Sequence, residues 1–155
     1  MSVEIERKFL VKPSFTTTLA TSHAKISQGY LATTPTVRVR IADDEAYLTI
    51  KGKTTNISRL EFEYPIPLAD AKLMLSTLSQ TPPIEKVRYL VPVGRHTFEV
   101  DFFEGANAGL VLAEVELESE GEEFERPVWL GAEVSGDKRY YNSYLSEHPY
   151  STWEN

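Results

Sequence analysis

Apolar and charged residues alternate along most of the first 118 positions of this chain, and a period of two rules out an all-helical fold. Successive residues of a strand point to opposite faces, so such alternation sorts a sequence into sheets with one apolar and one polar face. Eight segments of this kind predict eight strands, at roughly 2–11, 26–33, 36–42, 46–53, 59–66, 85–93, 96–104 and 111–118. Asp43-Asp44-Glu45 and Val93-Gly94-Arg95 have the composition of hairpin turns, and Gly105 to Gly109 form a looser connection. Neighbouring strands are therefore expected to run antiparallel.

Two stretches break the rhythm. Between Pro67 and Leu78 the apolar residues Leu68, Ala71, Met74, Leu75 and Leu78 recur at helical spacing, and Pro82-Pro83 stops the helix by Gln80. Beyond Glu122, Pro127-Val128-Trp129-Leu130 precedes Ser135-Gly136-Asp137, an N-cap for a short helix that carries Tyr140, Tyr141, Tyr144 and Leu145 against the sheet. No repeat and no Gly/Ser tract marks a boundary, and a chain of 155 residues buries enough surface for one core. Residues 1–155 read as a single domain.

Composition removes whole classes of chemistry. With no cysteine there is no thiolate nucleophile, disulfide framework or zinc finger. A net charge of −7 argues against general adhesion to nucleic acid or anionic lipid, so an anionic ligand needs a local basic site. Acids at Glu4 and Glu6 stand where a secretion signal needs bases and then apolar residues, and no apolar run is long enough to span a membrane. The expected location is the cytoplasm, with neither nucleic acid nor membrane as partner. His23, His96 and His148 share no metal-ligand spacing, and neither a nucleophile elbow nor a glycine-rich phosphate loop is present. Any phosphate must be held by side chains.

The polar face carries the sharpest signal. Opposite apolar sets such as Leu60, Phe62 and Tyr64 stand Glu4, Glu6 and Lys8; Arg38 and Arg40; Lys51 and Lys53; Glu61 and Glu63; Lys86 and Arg88; Glu99 and Asp101; and Glu114 and Glu116. A solvated face mixes its signs, whereas all seven doublets here are like-signed, an outcome expected roughly once in a hundred if signs were independent. Like charges about 7 Å apart on one face repel, and more so when sheltered from water. Glutamate doublets supply the hard oxygen ligands of Mg²⁺ or Mn²⁺, and Arg or Lys doublets match phosphate oxygens, so both kinds around one cavity describe a metal-phosphate site. Eight acids and seven bases leave this face with one net negative charge, which two divalent ions convert to three positive. A polyphosphate then enters favourably only together with metal. Eight strands closing into a barrel with the charged face inward give the needed enclosure. The fold expected is mainly β (α+β), an eight-stranded antiparallel barrel whose outer apolar face is covered by the 67–80 helix, the C-terminal segment or another subunit.

These same residues resemble a known family. Glu4-Ile5-Glu6-Arg7-Lys8-Phe9-Leu10-Val11 is similar to the N-terminal signature of the triphosphate tunnel metalloenzymes, also called the CYTH superfamily after class IV adenylyl cyclase and thiamine triphosphatase. The likeness continues through Gln28-Gly29-Tyr30-Leu31, Val37-Arg38-Val39-Arg40, Leu48-Thr49-Ile50-Lys51-Gly52, Glu61-Phe62-Glu63, Glu85-Lys86-Val87-Arg88-Tyr89, Glu99-Val100-Asp101, Glu114-Val115-Glu116 and Asp137-Lys138-Arg139-Tyr140. It implies an antiparallel tunnel that binds a triphosphate with divalent metal, two ions of Mg²⁺ or Mn²⁺. By the same resemblance Glu4, Glu6, Glu114 and Glu116 are the metal-binding carboxylates, with Glu63 a further ligand or water-orienting group. Lys8, Arg38, Arg40, Lys51, Lys86 and Arg88 are the phosphate clamp, Asp101 and Glu61 orient basic neighbours, and Lys138 or Arg139 closes one tunnel end.

The chemistry expected is hydrolysis of inorganic tripolyphosphate to pyrophosphate and phosphate, with Glu4 or Glu116 serving water activation and Lys8 and Lys86 stabilising charge on the departing group. A class IV adenylyl cyclase uses the same clamp on ATP with the ribose 3′-hydroxyl as nucleophile, but this chain has no insertion assignable to an adenine pocket. A thiamine triphosphatase needs an aromatic clamp that only Tyr30, Tyr47 or Trp129 could supply. A binder of polyphosphate or nucleotide without catalysis, and a charged sheet recognising a protein, complete the alternatives. The partner is a small triphosphate compound, and the chain is a monomer or homodimer.

Overall fold

The structure is a computed structural model that describes residues 3–153. Ser2, the expected first residue of the opening strand, lies outside them. The eight expected strands are present as β1 (Val3–Val11), β2 (Ser22–Thr33), β3 (Thr36–Ala42), β4 (Glu45–Lys51), β5 (Ser58–Ile66), β6 (Ile84–Val93), β7 (His96–Phe103) and β8 (Val111–Glu116). All neighbours are antiparallel, in the order β5-β4-β3-β2-β6-β7-β8-β1. The ring closes where Val3, Glu4 and Ile5 of β1 pair with Leu60, Arg59 and Ser58 of β5. Closure removes the two free edges that an open sheet of this size would expose.

A ninth strand, β9 (Leu130–Glu133), continues the edge of β1 beyond β5 through Phe9 and Val11. Four residues are too few for alternation to announce a strand. Gly131 makes the pairing possible, since a Cβ there would lie 2.9 Å from the carbonyl oxygen of Leu10.

Helix α1 (Leu68–Thr77) packs on the outside of β3 and β4, setting Ala71, Met74 and Leu75 against Val39, Ala46 and Leu48. The close fit depends on Gly29, whose added Cβ would fall 2.6 Å from the Ser79 hydroxyl and 2.8 Å from Leu75 Cδ2. Phe9, Val91, Phe98, Val100 and Val115 form the main outer core, covered by Phe15, Trp129 and Leu130 from the connecting segments. That cover does not reach β5, where Leu60, Phe62 and Tyr64 are 46%, 41% and 54% exposed.

The C-terminal segment takes a different place. A 3₁₀ turn (Lys138–Tyr140), capped by the Asp137 side chain, leads into α2 (Asn142–Glu147). Leu145 of α2 is fully buried with Tyr30, Ile84, Phe103, Leu110 and Leu112, and Leu10, Tyr140 and Trp153 pack around them. Leu10, Tyr30, Ile84, Phe103 and Leu112 share the inward parity of Lys8, Gln28, Lys86, Asp101 and Glu114. The inward face is therefore apolar at one end of the barrel, and the C-terminal segment stops that end.

Candidate active site

Inward-pointing side chains line a cavity of about 220 Å³. Seven carboxylates (Glu4, Glu6, Glu61, Glu63, Glu99, Glu114, Glu116) and seven cations (Lys8, Arg38, Arg40, Lys51, Arg59, Lys86, Arg88) line it. Strand order separates most of them, with Lys8 of β1 and Arg59 of β5 standing among the carboxylates. Lys51, Arg38, Arg40, Lys86 and Arg88 come from β4, β3 and β6, which with the neutral Gln28 and Tyr30 of β2 form one continuous arc of the ring. The carboxylates come from β7, β8, β1 and β5, the other arc. Each arc supplies its like-signed doublets, and the two arcs face each other across the lumen.

Ion pairs form between the arcs and within the acidic one. Lys51 Nζ lies 3.1 Å from Glu4 and 3.2 Å from Glu61. Arg88 pairs at 2.8 Å with Asp101 and 3.1 Å with Glu99. Lys86, wholly buried, pairs at 2.8 Å with Asp101 and also donates to Asn142 Oδ1 at 3.0 Å. Lys8 lies 3.5 Å from Glu114 and donates to the Tyr140 carbonyl at 2.9 Å. Arg38 lies 3.6 Å from Glu63.

The pairing is incomplete on both arcs. Among the described residues Arg40 has no carboxylate partner and donates only to Gln28 Oε1, at 2.8 Å. Burial, reinforced by Arg38 and Arg88, pulls its guanidinium down to about 9. Lys86 is lowered to about 7, by burial first and against the pull of Asp101. The buried Nε of Arg38 has no hydrogen-bond partner among the described residues. A buried donor left unmade is costly, and oxygens of an anion entering the lumen are its natural acceptors.

On the acidic arc, the register sets Glu6 opposite Glu116 and Glu99 opposite Glu114. Glu6 is pushed well up by burial and by the neighbouring Glu114 and Glu4 carboxylates. Glu114 is held down by Lys8, Arg88 and Lys86 despite its burial. The two neighbouring carboxylates are thus pushed in opposite directions. Burial also raises Glu4 and Glu116. These are crowded hard-oxygen donors whose repulsion a divalent cation would relieve, so the donor set fits such an ion. Among the described residues no three of these groups already converge as a cage.

Every expected metal-binding and phosphate-clamp residue lines this cavity, whereas Lys138, Arg139 and Asp101 do not. Lys138 is exposed on its 3₁₀ turn, as is Lys53 beyond the end of β4. Tyr140 of the same turn is the residue that packs inward, against the apolar cluster around Leu145. Asp101 is buried in the wall, holding Arg88 and Lys86. Arg59 was not foreseen, although it stands two residues before Glu61 and so shares its parity. Its guanidinium donates to Gly52 O at 3.2 Å and Thr36 Oγ1 at 3.3 Å. Tyr141 and Asn142 also line the cavity, and no spacing in the sequence announces them.

A closed barrel that sets a basic arc against an acidic one around a lumen stopped at one end is a receptacle for a compact polyanion together with cations. Residues 2–141 match the CYTH domain, and the chain belongs to that family. It is 46% identical over 156 residues to an inorganic triphosphatase of Acetivibrio thermocellus, covering 99% of each. It is 40% identical over 152 residues to an inorganic triphosphatase of Nitrosomonas europaea, covering 92% of this chain and 96% of the other. The crystal structure of the inorganic triphosphatase NE1496 superposes with a TM-score of 0.65 at 33% identity, covering 94% of this chain and 95% of that one.

Proposed function

We propose that the protein is a divalent-metal-dependent triphosphatase that hydrolyses inorganic tripolyphosphate to pyrophosphate and phosphate. The observation that carries this reading is the basic arc with its unpartnered Arg38 Nε and uncompensated Arg40, set across a sheltered lumen from crowded carboxylates. The triphosphatase relatives, matched over nearly the whole chain, favour hydrolysis over cyclisation.

Lys8, Arg38, Arg40, Lys51, Lys86 and Arg88 bind phosphate oxygens, and Arg59 adds a guanidinium beside Glu61. Glu4, Glu6, Glu114 and Glu116, with Glu63, would hold two ions of Mg²⁺ or Mn²⁺. Bound there, divalent ions supply charge neutralisation and polarisation of phosphoryl oxygens. Glu116 and Glu4, raised by burial toward the range of a useful base, orient the attacking water and take its proton. The water oxygen bonds to a terminal phosphorus, the bond to the bridging oxygen breaks, and the electron pair leaves with pyrophosphate. Lys8 and Lys86 stabilise that charge. The protein acts in the cytoplasm on a small triphosphate compound, without nucleic acid, as a monomer or homodimer.

The test is phosphate release from tripolyphosphate, ATP and thiamine triphosphate, each with Mg²⁺, Mn²⁺ or EDTA. Metal-dependent release, fastest from tripolyphosphate, is the expected result. Cyclic AMP from ATP without tripolyphosphate hydrolysis would overturn it.

A further inference from the structure

The stopped end of the lumen holds a hydrogen-bond chain with a fixed direction. Arg40 Nε donates to Gln28 Oε1 at 2.8 Å, Gln28 Nε2 donates to Asn142 Oδ1 at 2.9 Å, and Lys86 Nζ donates to the same Oδ1 at 3.0 Å. Arg40, at one end of this chain, is a guanidinium that only donates. Arg40 therefore forces the oxygen of Gln28 toward itself and the amide nitrogen toward Asn142. Asn142 must answer both that nitrogen and the Lys86 ammonium with its oxygen. The amide orientation of Asn142, ordinarily ambiguous, is dictated through Gln28 by Arg40, and the Lys86 contact agrees with it.

Its other half is then free. Asn142 lines the cavity, its Nδ2 makes no hydrogen bond to the protein among the described residues, and that atom is not sealed from solvent. Gln28 and Lys86, which hold the oxygen, are both wholly buried. The anchoring side is buried, and the donor half is left for a ligand of the lumen that Asn142 lines.

We propose that Asn142 is a substrate-binding residue, whose Nδ2 donates to an oxygen of the phosphate seated deepest in the lumen, while its Oδ1 sets the positions of Lys86 and, through Gln28, Arg40. An amide suits this place because it donates to phosphate without adding a third positive charge beside two buried cations. The inference rests on the triphosphatase reading and extends it to the C-terminal segment, where no charged residue reaches the lumen.

Asn142→Asp separates the two halves of the side chain. It keeps an oxygen for Lys86 and Gln28 but replaces the donor by an acceptor that repels phosphate. Steady-state hydrolysis of tripolyphosphate, calorimetric binding of a non-hydrolysable imido analogue and thermal melting are compared for wild type, Asn142→Asp and Asn142→Ala. The expected result is a native melting profile for Asn142→Asp with KM and the dissociation constant raised tenfold or more, and a loss in kcat as well for Asn142→Ala. Wild-type binding and KM in Asn142→Asp would overturn the inference while leaving the triphosphatase reading intact. Failure of the wild type to bind the analogue with metal would overturn both.

Discussion

At the residue scale, the lumen carries charges that the protein alone does not balance. Glu6 sits between Glu114 and Glu4, and burial holds it above the ordinary carboxylate range. Glu6→Gln removes a metal donor and a source of repulsion together. Phosphate release is expected to fall by at least about 100-fold, while the melting temperature measured in EDTA stays level or rises. Lys86 has the opposite imbalance: its folded value of about 7 lies below the ordinary 10.5 because burial outweighs Asp101. Between those values the unfolded chain binds the extra proton, so stability rises with pH across this window, by at most about 1.4 kcal/mol per pH unit. Urea midpoints from pH 7 to 9.5 in EDTA should show that slope in the wild type and lose it in Lys86→Met.

At the scale of elements, two glycines join the added pieces to the barrel. Gly29 lets the end of α1 settle on β2, and Gly131 lets β9 lie against the backbone of Leu10. Gly29→Ala overpacks a contact on the outside of the barrel. It is expected to cost about 1–3 kcal/mol in urea unfolding, with kcat per folded molecule retained. Gly131→Ala presses on backbone, which cannot rotate away, and β9 leads directly into the segment that stops the lumen. Loss of kcat together with stability is expected there. Equal kcat in the two variants would contradict the coupling of β9 to the site.

At the scale of the whole molecule, the ring order decides function by bringing separated segments into two arcs. With seven acids and seven bases in its lining, the lumen has little net attraction for a highly charged anion until cations join the acidic arc. The imido analogue of tripolyphosphate should barely shift the melting temperature in EDTA. With Mn²⁺, at a hundredfold excess over its dissociation constant, it should raise it by about 5–10 °C. An equal shift without metal would contradict the charge balance described here.

Parity along the strands, the like-signed doublets and the helix after Pro67 are written in neighbouring residues, because alternation and helical periodicity arise from local backbone geometry. For that reason the eight strands, their inward faces and most of the lumen residues were legible, and Arg59 could have been read by continuing the same parity two residues back from Glu61. The tertiary structure alone decided that β2 lies beside β6, which joins the bases into one arc, and that β1 closes on β5. It alone turned Lys138 outward, brought Asn142 inward and stopped one end with Leu145. Those outcomes depend on contacts between residues far apart in the chain, where the geometry of closure rather than any local pattern determines which side chains meet.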